Sequence, residues 1–176
     1  VMTISFHQSG RTLFPGTGFA DEIGTGPGKG FSVNCPLPPG TYDEVYLNAF
    51  KQIALPLIRS FGPDVIAIEL GADALAGDPL AMLNLTNNTH ADIVNGIREF
   101  DKPILATGGG GYDVENTTRA WALCYSALCG DDTEDNPSPL RDDRLKPTSM
   151  QLENIPPAVD AIIEKIKQTV FPIHSL

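Results

Sequence analysis

The sequence has few histidines, cysteines and basic residues, and each shortage excludes a class of function. Its three histidines, His7, His90 and His174, are scattered and form no HxxxH-type pair, so a self-contained zinc site is not expected. The three cysteines lack metal-site spacing, which favours buried free thiols in a reducing compartment and a cytoplasmic location. Twelve Lys and Arg against 22 Asp and Glu give a net charge of −10. That balance argues against direct nucleic-acid binding and suits a cationic small molecule or peptide.

Long apolar runs and several common motifs are also missing. No stretch approaches the roughly 20 residues of a membrane-spanning helix, so no membrane association is expected. Residues 1–7 lack a basic region and a cleavage site, and are expected to form a core strand instead of a signal peptide. No serine or cysteine stands in a nucleophile elbow. The glycines at 108–111 lack both the dinucleotide fingerprint and the P-loop lysine.

The sequence instead alternates between segments that predict short apolar strands and segments that predict amphipathic helices. Strands are predicted at 2–7, 31–37, 64–70 and 103–107, and helices at 41–61, 89–100, 114–128 and 158–170. Thr41 and Glu44 are expected to form a capping box, Asp113 to cap the third helix, and Gly130 to end it. Residues 131–150 are polar and contain proline, which is typical of a surface excursion.

This alternation predicts an α/β fold with a mostly parallel sheet covered on both faces. In such sheets the functional groups gather at the carboxyl ends of the strands. Three unusual stretches follow predicted strands, at 8–30, 71–87 and 108–113. The chemistry is therefore expected along one edge of the sheet.

Two side chains at that edge are candidates for chemistry. Asp73 follows a buried strand by three residues, where its carboxylate could ligate a divalent metal, although the pattern alone favours an Asx-turn. Tyr112 follows four glycines, and its neutral phenol could donate to an oxyanion or simply pack over the sheet edge. Four consecutive glycines are costly to order, so the backbone is expected to pass very close to a neighbour or to adopt a positive φ.

Three segments in order carry a family resemblance: ISFHQSGRTLFPGTGFADEIGTGPGKGFSVNCPL at 4–37, LGADALAGDPLAMLNLT at 70–86 and GGGGYDVENTTRAW at 108–121. They resemble the zinc-dependent histone deacetylase family, including its acetoin-utilisation and acetylpolyamine members. The resemblance covers about residues 1–130 and implies an arginase-like three-layer α/β/α fold. It implies that residues 1–176 are the C-terminal part of one such domain, with 131–176 as a surface excursion and a terminal helix.

The resemblance also implies a hydrolase that removes acetyl groups from acetyl-lysine peptides or acetylated small amines. In the family, the aspartate of the GAD segment, here Asp73, ligates the catalytic zinc, which activates a bound water. The tyrosine after the glycines, here Tyr112, hydrogen-bonds the carbonyl oxygen and stabilises the tetrahedral oxyanion. Phe14 and Leu80 would line the acyl-lysine channel, and Gly110 would contact the substrate stem through its backbone.

A second ion is implied beneath the zinc. Ser5 and the carbonyl of Phe6 match part of a monovalent-cation site, which predicts bound K⁺. Pro79 stands where corepressor-bound members carry an arginine, which together with the acidic balance favours a stand-alone or prokaryotic-type enzyme.

The sequence departs from the family because it contains neither the DxHxGxG segment, with the other two zinc ligands, nor the His-His general base. One carboxylate cannot hold a catalytic zinc, which uses three protein ligands. The chain alone is therefore expected to be inactive, with its site completed by a missing N-terminal part or by another copy in a homo-oligomer. The alternative is a non-catalytic deacetylase-like domain for binding or assembly. An arginase-type ureohydrolase would need further aspartates in place of the glycine–tyrosine motif.

Overall fold

The structure is a computed structural model of the chain, and it describes residues 1–133 and 135–176. In chain order, its strands and helices are β1 (Thr3–Gln8), β2 (Ser32–Leu37), α1 (Asp43–Phe61), β3 (Ile66–Leu70), α2 (Asn87–Arg98), β4 (Ile104–Gly108), α3 (Val114–Cys129) and α4 (Ser149–Thr169). Every predicted strand and helix is present, and the ends lie within two residues of the prediction except at the start of α4.

The chain divides into two compact units. Unit 1 comprises residues 1–62 and 147–176, and unit 2 comprises residues 63–146. The single domain expected over 1–176 stays a prediction.

Unit 1 contains β1, β2, α1 and α4. The two strands pair in parallel, with Ile4 opposite Val33 and Phe6 opposite Cys35. The helix α4 packs on both α1 and β2. Its buried face repeats at helical spacing and consists of Ile155, Val159, Ile163 and Ile166.

The helix α4 begins nine residues before the predicted start at Ala158. Pro156 and Pro157 lie inside it, and a proline normally breaks a helix because it lacks a backbone N–H. The carbonyls that lose their helical N–H donor in this way are those of Leu152 and Glu153, four residues earlier. Both residues are exposed, so water can satisfy these carbonyls and the helix continues.

The capping box of unit 1 lies at the start of α4 and not at the start of α1. Thr148 and Gln151 form a complete box at the start of α4, with both reciprocal hydrogen bonds. The box predicted for Thr41 and Glu44 is wrong, because no side chain caps the start of α1. The Thr41 hydroxyl instead donates to the carbonyl of Pro38 at 2.7 Å and closes the preceding turn.

Unit 2 contains β3, β4, α2 and α3. The strands pair in parallel, with Ile66 opposite Ile104 and Leu70 opposite Gly108. Both helices pack with them around one apolar core, formed by Leu70, Ala91, Val94, Leu123, Cys124 and Ala127. Parallel pairing is thus confirmed, although the described strands form two two-stranded sheets.

The predicted ends of α3 are confirmed. The Asp113 carboxylate accepts a hydrogen bond from the backbone N–H of Asn116 at 2.9 Å, as an N-cap does. At the other end, Gly130 ends the helix in the left-handed conformation, with a φ of +87°.

Polar contacts of Asp132 and Arg141 attach the predicted surface excursion after α3 to the rest of unit 2. Asp132 is fully buried, and Arg141 donates to its two carboxylate oxygens at 2.9 and 2.7 Å. Arg141 also pairs with Asp92 of α2 at 2.9 Å. The side-chain amide of Asn95, also on α2, donates to the Asp132 carbonyl at 3.0 Å.

A second carboxylate of this segment binds the N-terminus of α2. Asp142 accepts from the backbone N–H of Asn87 at 3.2 Å and pairs with Arg119 of α3 at 2.8 Å. A negative charge at that helix end stabilises the unpaired N–H groups of the first turn. The segment therefore connects α2 with α3.

Two of the three cysteines are buried free thiols, as predicted. Burial raises the pKa of both Cys35 and Cys124 to about 12. For Cys129 the prediction is wrong, because this residue is exposed at the end of α3. Five positions after Cys124, it lies on a different side of the helix. No helix within the described residues combines the length and the apolar character that crossing a membrane requires.

Candidate active site

The pairing of β3 with β4 brings two of the three unusual stretches to one edge of unit 2. The strands end at the register partners Leu70 and Gly108, so the loops that follow start side by side. Trp121 of α3 supports this edge, since its indole N–H donates to the Leu70 carbonyl at 2.8 Å. The third stretch, 8–30, belongs to unit 1.

The carboxylate of Asp73 lies directly against the glycine run. A Cβ atom placed on Gly110 would lie 2.8 Å from both Cγ and Oδ2 of Asp73, which is closer than real Cβ contacts. Any side chain at position 110 would therefore displace the carboxylate. This close approach confirms the reason predicted for the glycines.

The backbone of the glycine run is also hydrogen-bonded to the loop that carries Asp73. The N–H of Ala72 donates to the Gly110 carbonyl at 2.6 Å. Gly111 follows with a φ of +141°, a conformation that L side chains rarely adopt, and a Cβ there would contact Thr117 and Ala72. The glycine run thus fits against residues 71–73.

The charge of Asp73 is disfavoured by its surroundings. The residue is half-buried, and burial followed by the nearby charge of Asp78 raises the pKa of its carboxyl group. Its own backbone N–H and the side chain of His90 oppose that shift. A cation beside Asp73 would relieve this repulsion.

His90 belongs to this part of the fold, although nothing at its position in the sequence indicates a role there. It is buried on α2, and its Nε2 lies 2.8 Å from the Gly71 carbonyl oxygen. The contact links α2 to the loop that carries Asp73. His90, which forms no metal-binding pair in the sequence, therefore supports the candidate site.

Glu69 is a second carboxylate beside the glycine run. It occupies the space where a Cβ on Gly109 would stand. Burial, followed by the charge of Asp73, raises the pKa of its carboxyl group, and the Gly71 backbone N–H opposes this. Its sequence position, inside a strand, gave no functional signal.

Tyr112 leads out of the glycine run, and its side chain is 54% exposed. Its backbone N–H donates to Oδ2 of Asp78 at 2.9 Å. The other oxygen of Asp78 accepts from the backbone N–H groups of Leu80 and Ala81 at 2.8 and 3.0 Å. No pattern in the sequence indicates this link between Asp78 and Tyr112.

The candidate site residues fall into two groups by unit. Unit 2 contains Asp73, Leu80, Gly110 and Tyr112, and of these the structure places Asp73 in contact with Gly110. The side chain of Leu80 is 58% exposed.

Unit 1 contains the remaining three candidates. Phe14 is 92% exposed, and Phe6 packs its ring against Tyr46 of α1, with the ring centres 5.6 Å apart. The Ser5 hydroxyl lies 2.9 Å from Nδ1 of His7, whose Nε2 lies 3.0 Å from the Gly18 carbonyl. Both ring nitrogens of His7 are thus hydrogen-bonded within unit 1.

The donors of the described residues do not form a complete zinc site. Among residues 1–133 and 135–176, no three His, Cys, Asp or Glu side chains are grouped so that they could hold a metal ion. A catalytic zinc uses three protein ligands. Asp73 offers one carboxylate at this edge, and the described residues do not group two further donors with it.

Comparison with known proteins assigns the chain to a family. Residues 1–128 match the model of the histone deacetylase domain. Histone deacetylase B of Dictyostelium discoideum is 44% identical over 142 residues, which cover 81% of this chain and 33% of that protein. Histone deacetylase 1 of Homo sapiens is 37% identical over 182 residues, covering 97% of this chain and 36% of that protein. This chain therefore spans about a third of the length of the curated relatives it matches.

The fold agrees with the sequence comparison. The crystal structure of the HDA15 HD domain matches with a TM-score of 0.79 and 25% identity, over 99% of this chain and 45% of that chain. The α/β arginase-like class predicted from the sequence is confirmed, in a partial form with parallel strands and helices. The chain belongs to the histone deacetylase domain family.

Proposed function

We propose that this chain supplies part of the active site of a zinc-dependent deacetylase, a hydrolase of C–N amide bonds. Its substrates would be acetyl-lysine peptides or acetylated small amines. One observation supports this most strongly: the Asp73 carboxylate packs against the glycine loop that leads into the exposed Tyr112. Membership of the histone deacetylase family supports it independently.

In this proposal Tyr112 is the oxyanion donor. Its phenolic O–H can donate to the carbonyl oxygen of the acetamide as negative charge develops there. The backbone of Gly110 would contact the substrate stem, since no side chain fits between it and Asp73. Leu80 and Phe14 would line the acyl-lysine channel, and both have exposed side chains.

Asp73 would provide one of the three zinc ligands. The remaining ligands and the general base would come from residues beyond this chain, on a missing N-terminal part or on another copy. A K⁺ ion at the Ser5 hydroxyl and the Phe6 carbonyl is part of the same proposal. The net charge of −10 suits lysine-containing peptides or polyamines, and we propose a cytoplasmic enzyme.

The test is Tyr112→Phe in the natural full-length protein. Losing one oxyanion donor costs about 10²- to 10³-fold in kcat, whereas the zinc ligands are unchanged. We therefore expect unaltered zinc content and a loss of that size in acetate release from an acetyl-lysine peptide. Tyr125→Phe is the matched control, because Tyr125 is an exposed tyrosine on the outer side of α3.

The outcomes separate the proposal from its alternative. If Tyr112→Phe stays within about twofold of wild type, against that expected loss, Tyr112 has no part in the mechanism. If the full-length protein neither binds zinc nor releases acetate, the non-catalytic binding domain is the better account.

A further inference from the structure

We infer that Asp78 is the positioning residue for Tyr112, a role that rests on the proposed function of that tyrosine. One carboxylate accepts three backbone N–H groups from two different loops. Its Oδ1 accepts from Leu80 and Ala81, at 2.8 and 3.0 Å. Its Oδ2 accepts from Tyr112 at 2.9 Å.

The bond to Tyr112 is long-range in the sequence, and this sets it apart from an ordinary turn. The two contacts to Leu80 and Ala81 are the local pattern of an Asx-turn. The third joins positions 34 residues apart and ends on the amide of the residue that carries the oxyanion donor. Hydrogen bonds that involve an ionised group are roughly twice as strong as neutral ones.

The glycine run makes such an anchor necessary. Gly109 and Gly110 have no side chains to fix the path of the loop, and Gly111 has a positive φ. Before Tyr112, the loop is held at the Gly110 carbonyl by Ala72. Asp78 then holds the loop at the backbone N–H of Tyr112. The loop that carries Asp73 and Asp78 therefore fixes the position of the Tyr112 Cα atom.

The same carboxylate also fixes Leu80. Its amide and that of Tyr112 bind the two oxygens of one group, so their backbone separation is set by the width of a carboxylate. Asp78 would thereby couple a channel residue to the oxyanion donor. Asp78 affects turnover indirectly, by positioning Tyr112, because the carboxylate oxygens of Asp78 are occupied by backbone amides.

The test is Asp78→Ser in the natural full-length protein, with Asp113→Ser as the matched control. A serine hydroxyl can still accept from the turn amides, but it has no second oxygen for Tyr112. Misplacement by about 1 Å costs up to about 10²-fold, so we expect kcat to fall about 10- to 100-fold, with a smaller change in KM. Asp113 lies on the other side of Tyr112, and serine caps a helix about as well as aspartate, so the control should stay within about twofold of wild type.

A double-mutant cycle tests whether Asp78 acts through the phenol. In the Tyr112→Phe background, Asp78→Ser should lower kcat by less than about twofold, because residues that act as a unit are not additive. An equally large loss in that background would overturn the inference. So would an Asp78→Ser variant that turns over as fast as Asp113→Ser.

Hydrogen exchange gives a readout that does not depend on activity. The Tyr112 amide should exchange at least about tenfold faster in Asp78→Ser than in wild type, and unchanged exchange would overturn the inference. If the wild type shows no deacetylation while the amide exchanges faster in the variant, the proposed function fails and the anchoring of Tyr112 by Asp78 stands.

Discussion

Replacing Gly110 by alanine tests the contact between the glycine run and Asp73. The added Cβ would lie 2.8 Å from Cγ and Oδ2 of Asp73, where an ordinary contact needs at least 3.4 Å. The carboxylate must therefore move by about 0.6 Å, the difference between these two distances. The φ of Gly110 lies outside the left-handed region, so alanine adds this contact without backbone strain.

If Asp73 ligates zinc, such a shift should weaken zinc binding. Changes that disturb the orientation of a metal ligand cost about 10- to 100-fold in affinity or activity. We expect a loss of that size in the zinc affinity of the full-length Gly110→Ala protein, measured by competition with a chelator. Acetate release at saturating zinc reports the effect on turnover separately.

Gly28→Ala is the matched control. A Cβ on Gly28 would meet nothing within 4 Å, and its φ also lies outside the left-handed region. This variant should bind zinc as wild type does. The reasoning is refuted if Gly110→Ala and Gly28→Ala have equal zinc affinities.

Further predictions concern the polar contacts of unit 2 and the thiols. Arg141→Met removes the cation paired with the buried Asp132 carboxylate and should lower the free energy of unfolding by about 3 kcal/mol, measured in urea. Burial alone would raise the pKa of Asp132, but hydrogen bonds from Arg141 hold this pKa below its ordinary value of 3.8. The resulting stabilisation is present above that pH and is lost as the pH falls below it. The free energy of unfolding of Asp132→Asn should therefore fall less steeply with decreasing pH than that of wild type. A maleimide should modify Cys129 before Cys35 or Cys124, as peptide mass spectrometry can establish.

Each of these predictions has a control or a contradicting result. Lys165→Met removes an exposed ion pair of 3.6 Å and should change stability by less than about 1 kcal/mol. If Arg141→Met is no more destabilising than Lys165→Met, the buried contacts of residues 131–146 do not stabilise the fold. Equal acid slopes for wild type and Asp132→Asn would contradict the pKa argument. Modification of Cys35 as fast as Cys129 would contradict the burial of that thiol.

The order and type of the elements could be predicted because apolar periodicity and caps are local signals. Asp113 and Gly130 mark the ends of α3 correctly, since each acts on its own helix. The predicted start of α4 at Ala158 lies after Pro156 and Pro157, whereas the capping box of Thr148 and Gln151 marks the true beginning. Local signals fail where they compete, and packing then decides.

The site was predicted only in part, for a related reason. The glycine run and Asp73 are conspicuous in the sequence, and their contact follows from adjacent parallel strands. The link from Asp78 to Tyr112 depends on the tertiary fold and leaves no mark at either position. His90 was missed likewise, because its carbonyl partner on Gly71 lies 19 residues away in the sequence.

The most direct test of the account is a crystal structure of the natural full-length protein with zinc and an acetyl-lysine peptide. The account predicts that Asp73 is one of the zinc ligands and that the Tyr112 hydroxyl donates to the carbonyl oxygen of the same bound acetamide. A zinc ion held without Asp73, or a Tyr112 hydroxyl directed away from that oxygen, would contradict it.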